Sequence, residues 1–132
     1  MKPNLLAPLL AVTTFLTVLP LQGELRSKLT ITVKDANDAP VAARIHLTDS
    51  DGKAVRAPGL PFWRDHFVCP GAVSLPLKAG SYRYQIERGP EHERPAGVVV
   101  VEANKETAIS VRLKRIANLA DKGWYSGDLH IH

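Results

Sequence analysis

Across residues 29–114 the chain alternates apolar and polar residues in short runs, and each run ends in a cluster of turn formers. Leu29, Ile31 and Val33 fall on one side of the first run, with Thr30, Thr32 and Lys34 on the other. Successive side chains of an extended chain point to opposite faces, so a period of two describes a strand with one face buried. Residues 35–40, Asp-Ala-Asn-Asp-Ala-Pro, supply a turn. After it Val41, Ala43, Ile45 and Leu47 alternate with Ala42, Arg44, His46 and Thr48. Asp49-Ser50-Asp51-Gly52-Lys53 is a second turn, with Gly52 free to take positive φ. Further strands are expected at 73–77, 81–88, 97–102 and 107–114, and no stretch of 25–115 carries a helical period. Short strands punctuated in this way predict an all-β fold, a small antiparallel β-sandwich. Tyr82, Tyr84 and Ile86 would form one inner stripe and Ile109, Val111 and Leu113 another. The stretch 57–70, rich in proline, reads as an irregular loop.

The 132 residues fit one compact domain and are too few for a two-domain enzyme built on a barrel or a doubly wound sheet. A hydrophobic fraction of 45% with 23% charged residues argues against both a disordered chain and an all-membrane protein. The net charge is +4, and setting aside residues 1–23, whose one charged side chain is Lys2, leaves 16 cations against 13 anions, or +3. Lys and Arg are scattered singly, without the basic stripe a phosphate backbone needs, so no nucleic-acid partner is expected.

Residues 1–23, MKPNLLAPLLAVTTFLTVLPLQG, combine a cation at Lys2, an apolar run over 5–19 and a polar change after Pro20. That is the layout of a secretory signal peptide, with cleavage expected near Gly23. An uncleaved anchor is the alternative, but Pro8 and Pro20 interrupt a stretch already short for a bilayer. The expected location is therefore exported, periplasmic or extracellular, with no membrane association after cleavage. Cys69 is the one cysteine, which excludes an intramolecular disulfide and a lipidated mature N-terminus. Packing or partners must hold such a domain together. Within Phe67-Val68-Cys69-Pro70 the cysteine reads as a small buried hydrophobe; as a nucleophile it would have only His66 as a local base. His46 on the outward side of a strand, His66 in the loop and His92 between Glu91 and Glu93 read as solvated surface.

Two segments carry family resemblances. Thr32-Val33-Lys34-Asp35, Asp38-Ala39-Pro40-Val41-Ala42-Ala43-Arg44-Ile45, Asp51-Gly52 and Leu75-Pro76-Leu77-Lys78-Ala79-Gly80-Ser81-Tyr82 together resemble the carboxypeptidase regulatory-like, or transthyretin-like, sandwiches. The resemblance spans about residues 28–114 and implies an accessory domain without catalysis of its own. Gly123-Trp124-Tyr125-Ser126-Gly127-Asp128-Leu129-His130-Ile131-His132 places two histidines one residue apart. On a strand their imidazoles share a face, with Cα atoms about 6.6 Å apart at about 3.3 Å per residue. Such a pair can hold a cation, and Asp128 on the same face could ligate or orient a histidine through its second nitrogen.

This segment resembles the opening strand of the PHP (polymerase and histidinol phosphatase) metallohydrolases, in particular the CehA/McbA-type branch. That resemblance implies a (β/α) barrel with divalent metals (Zn, Mn or Fe), His130 and His132 as metal ligands, Asp128 at the acidic position before them, and an ester or phosphoester substrate. The expected organisation is a signal peptide at 1–23, a sandwich at 24–115, a linker at 116–123 and the start of a truncated PHP-type domain at 124–132. Its partner would be the missing C-terminal metallohydrolase domain. The remaining ligands and most of the barrel would lie beyond residue 132, so no catalytic residue is placed within this stretch and it should be inactive alone, with no metal tightly bound. The alternative is a free-standing exported sandwich that binds a protein, glycan or surface.

Overall fold

Alternation and turn chemistry become strands where one face can be buried, and the computed structural model, which describes residues 27–125, contains eight of them. They are β1 (Lys28–Lys34), β2 (Ala43–Thr48), β3 (Phe62–Trp63), β4 (His66–Cys69), β5 (Ala72–Pro76), β6 (Gly80–Glu87), β7 (Ala96–Val101) and β8 (Glu106–Arg112). Two sheets result, one of three strands in the order β5-β1-β8 and one of five in the order β3-β4-β2-β6-β7. The chain changes sheet after β1, β4, β5 and β7, so it is a sandwich in which neither sheet is assembled from consecutive strands alone.

Each sheet contributes one apolar face. Leu29, Ile31 and Val33 of β1, Leu75 of β5 and Val111 of β8 meet Ala43, Ile45 and Leu47 of β2, Phe67 and Cys69 of β4, Tyr82 and Ile86 of β6, and Val99 and Val101 of β7. Both expected stripes point inward, since Tyr84 and Ile109 pack against this core beside their buried neighbours. Cys69 is fully buried, and burial pushes its thiol pKa up, as expected of a hydrophobe and not of a nucleophile.

The two early turns use one device. The Asp35 carboxylate accepts the N–H groups of Asn37 and Ala39 at 2.8 and 3.0 Å, and the Asp49 carboxylate accepts those of Asp51 and Lys53 at 3.0 and 2.9 Å. Short acidic side chains thus occupy the backbone donors left free where each strand ends. Gly52 takes its expected positive φ of 77°.

Two expectations are corrected. The pairs are antiparallel with one exception: β1 runs parallel to β8, Leu29 opposite Thr107 and Val33 opposite Val111. A period of two shows that a strand is half-buried but carries no information about its neighbour's direction. The stretch 57–70 is also not irregular throughout. It contains the hairpin β3–β4, and β4 pairs with β2 through Ala43–Cys69, Arg44–Val68, Ile45–Phe67 and His46–His66. His66 therefore lies on a strand and not in a loop. Within the expected linker, 120–122 form a single 3-10 turn, and the segment is tied back to the sandwich. No helix among the described residues is long and apolar enough to cross a membrane.

Candidate functional site on the outer face of the larger sheet

With the inner faces filled by core residues, the chemistry of the described chain lies outside. The outer face of the three-stranded sheet is polar: Thr30 bonds Ser74 at 2.9 Å and Glu106 at 3.0 Å, and Lys28 pairs with Glu106 at 3.2 Å. The outer face of the five-stranded sheet differs. Register sets Trp63 opposite His66, His66 opposite His46, and His46 opposite Gln85, so one row crosses β3, β4, β2 and β6. Trp63, at one end of the row, is 66% exposed, and Val98 and Val100 on the far edge strand β7 are each 61% exposed.

At the centre of this row is a cluster built by the hairpin. Between β3 and β4 the chain turns through Arg64 and Asp65, and Arg64 adopts a left-handed φ of 53°. A non-glycine residue in that region costs energy, which the surrounding pairing must supply. The turn places the Asp65 carboxylate between the two imidazoles. His66 Nδ1 lies 3.1 Å from Asp65 Oδ1, and His46 Nδ1 lies 3.2 Å from Asp65 Oδ2. The rings stand 5.0 Å apart between centroids, tilted by 44°. The hydrogen bond with His66 holds the Asp65 carboxyl below its ordinary pKa, opposed by desolvation and assisted by His46. On the far side of His46, Nε2 faces Glu87 Oε2 at 3.7 Å, and Glu87 is flanked by Arg44 at 3.7 Å and Arg94 at 3.4 Å. One ligand atom from each of His46, Asp65 and His66 falls within 4.8 Å of the others.

A second feature lies where the described chain leaves the sandwich. Glu91 accepts the Leu119 N–H at 2.8 Å through its carboxylate, pairs with Arg115 at 2.5 Å, and takes the Ile116 N–H on its carbonyl at 2.8 Å. Beside this anchor is an open cleft of about 680 Å³ lined by Arg88, His92, Arg115, Leu119, Trp124 and Tyr125, the last two 71% and 83% exposed. The two carboxylates beside His92 are engaged elsewhere, Glu91 with Arg115 and Glu93 with Lys114 at 3.1 Å.

Asp128, His130 and His132 lie outside the described residues, as do residues 1–23. The cluster of His46, Asp65 and His66 is the feature that sequence reasoning missed. A signal was present, since Phe67 and Cys69 alternate with His66 and Val68, but the prolines of 57–70 obscured it.

No protein-family model matches the chain, and the curated proteins give no match. Among solved structures, the fold is similar to that of GBS52, the minor pilin of Streptococcus agalactiae, with a TM-score of 0.55 and 18% identity over 70% of this chain and 45% of that one. BcpA, the major pilin subunit of Bacillus cereus, gives a TM-score of 0.49 and 15% identity over 68% of this chain and 30% of that one. The chain thus spans less than half the length of either pilin, and at this identity the likeness is one of fold.

Proposed function

We propose that this chain is an exported β-sandwich module that binds a protein, glycan or cell-surface component through the outer face of its five-stranded sheet. One observation carries the reading: Trp63, Val68, Val98 and Val100 are large apolar side chains left exposed on one sheet face, around a polar centre, while the opposite face of the same sheet is filled with core. Trp63 and Val68 lie on β3 and β4 and Val98 and Val100 on β7 at the opposite edge, one apolar pair on each side of the polar centre. Apolar side chains exposed on a surface rimmed by polar ones are a mark of recognition sites. The fold likeness to the minor pilin GBS52 and the export signal read in residues 1–23 fit the same conclusion. The test is retention of the purified chain on cell-surface fractions and on a glycan array, beside a variant carrying Trp63→Ser and Val98→Ser. Retention that the variant loses supports the reading; equal retention of both, or none by either, removes it.

A second reading has its own observation. Trp124 and Tyr125 are exposed at the end of the described chain, immediately before the segment resembling a PHP metallohydrolase strand. In that reading the sandwich is the accessory domain of an exported metal-dependent ester or phosphoester hydrolase. Asp128, His130 and His132 would then contribute to its metal centre. A continuous product longer than 132 residues, with hydrolase activity abolished by His130→Ala, would favour it over the free-standing module.

A further inference from the structure

We infer that His46, Asp65 and His66 form a binding site for one divalent transition-metal ion, with zinc the best match, on the outer face of the sandwich. Two neutral imidazoles and a carboxylate are a donor set suited to zinc. Zinc-to-ligand bonds of about 2.0–2.1 Å in a tetrahedron place neighbouring donor atoms about 3.3 Å apart. The nitrogen-to-carboxylate separations are 3.1 Å to Oδ1 and 3.2 Å to Oδ2, and one donor atom from each residue lies within 4.8 Å of the others, so a cation that replaces the hydrogen bonds would draw the three donors together by about an ångström or more.

The support for the three donors is rigid. His46 lies on β2, which has a hydrogen-bonded neighbour on each side, and His66 is its direct cross-strand partner. Asp65 is held by a tight turn whose left-handed Arg64 already bears the conformational cost. Each imidazole presents Nδ1 to the shared carboxylate, and Nε2 of His46 faces Glu87 at 3.7 Å; with Nδ1 on a metal, the single proton of a neutral His46 would sit on Nε2 and point at that carboxylate. A carboxylate at the second nitrogen of a ligating histidine fixes its tautomer and orientation, and Glu87 is in place for that positioning role. Three protein donors leave a fourth position open to water.

Metal binding here does not depend on what the outer face recognises, nor on the histidines at 130 and 132. The experiment therefore uses the full chain carrying His130→Ala and His132→Ala, titrated with Zn²⁺ by calorimetry and with Co²⁺ by visible absorption. The expected result is one ion per chain, with the Co²⁺ spectrum of a tetrahedral site. In that background His46→Ala, Asp65→Asn and His66→Ala should each weaken Zn²⁺ binding by at least about tenfold, and Glu87→Gln by about 10–100-fold. Asp65→Asn keeps the size and hydrogen-bonding shape of the turn, and far-ultraviolet circular dichroism reports whether each variant is folded. Absence of stoichiometric binding once residues 130 and 132 are changed overturns the proposal, as does binding indifferent to folded variants at 46, 65 and 66.

Discussion

Phe67 and Val98 have similar chemistry and opposite fates, because each strand sends alternate side chains to core and solvent. Phe67 has no exposed surface, whereas Val98 is largely exposed. Phe67→Ala should therefore destabilise the fold by about 3–5 kcal/mol, while Val98→Ala should stay within about 0.5 kcal/mol. Urea denaturation of the two variants measures the difference, and equal effects would mean that the inner and outer faces of the larger sheet are misassigned. Glu91 supports a prediction of another kind. The Leu119 N–H and then Arg115 hold its carboxyl below the ordinary glutamate pKa. A depressed folded-state value stabilises the charged tether above the unfolded value, and that contribution is lost as pH falls through the folded one. The Leu119 amide resonance should titrate with a midpoint below the ordinary glutamate value; a midpoint at or above that value would show that the tether does not form.

At the scale of elements, the junction between β4 and β5 decides whether two sheets can face each other. There the chain leaves the larger sheet at Cys69 and enters the smaller one at Ala72, and Gly71 between them has φ of 139°. A Cβ on Gly71 would lie 2.8 Å from Pro40 Cβ, and the Gly71 carbonyl accepts the Val33 N–H at 2.7 Å. Gly71→Ala is expected to cost about 1–3 kcal/mol through backbone strain, before any rearrangement at Pro40. A shift smaller than 0.5 kcal/mol, on the order of ordinary surface substitutions, would count against this account. The longer strands were legible in the sequence because each carries several repeats of the alternation. The hairpin β3–β4 was not, since two and four residues offer little periodicity and its flanking prolines read as loop.

For the molecule as a whole, the parallel pairing of β1 with β8 joins opposite ends of the sandwich. The hydrogen bond between Thr30 and Glu106 spans 76 positions in sequence. β1 is the central strand of the smaller sheet, so that sheet cannot be completed until the two ends of the domain meet. Loop closure precedes the contacts that reward it, and refolding is expected on the order of milliseconds to seconds. Stopped-flow refolding followed by tryptophan fluorescence checks this; a microsecond phase carrying the full amplitude would contradict it.

The sequence by itself determined the β class, the two Asp-based turns, the inward stripes and the burial of Cys69. Each of these depends on alternation or on bonds between residues a few positions apart. Only the tertiary structure decided that β1 runs parallel to β8, that His66 lies opposite His46, and that Asp65 comes between them. Those outcomes depend on register and strand order, which arise from the packing of one whole face against another and leave no local trace in the residues that finally meet.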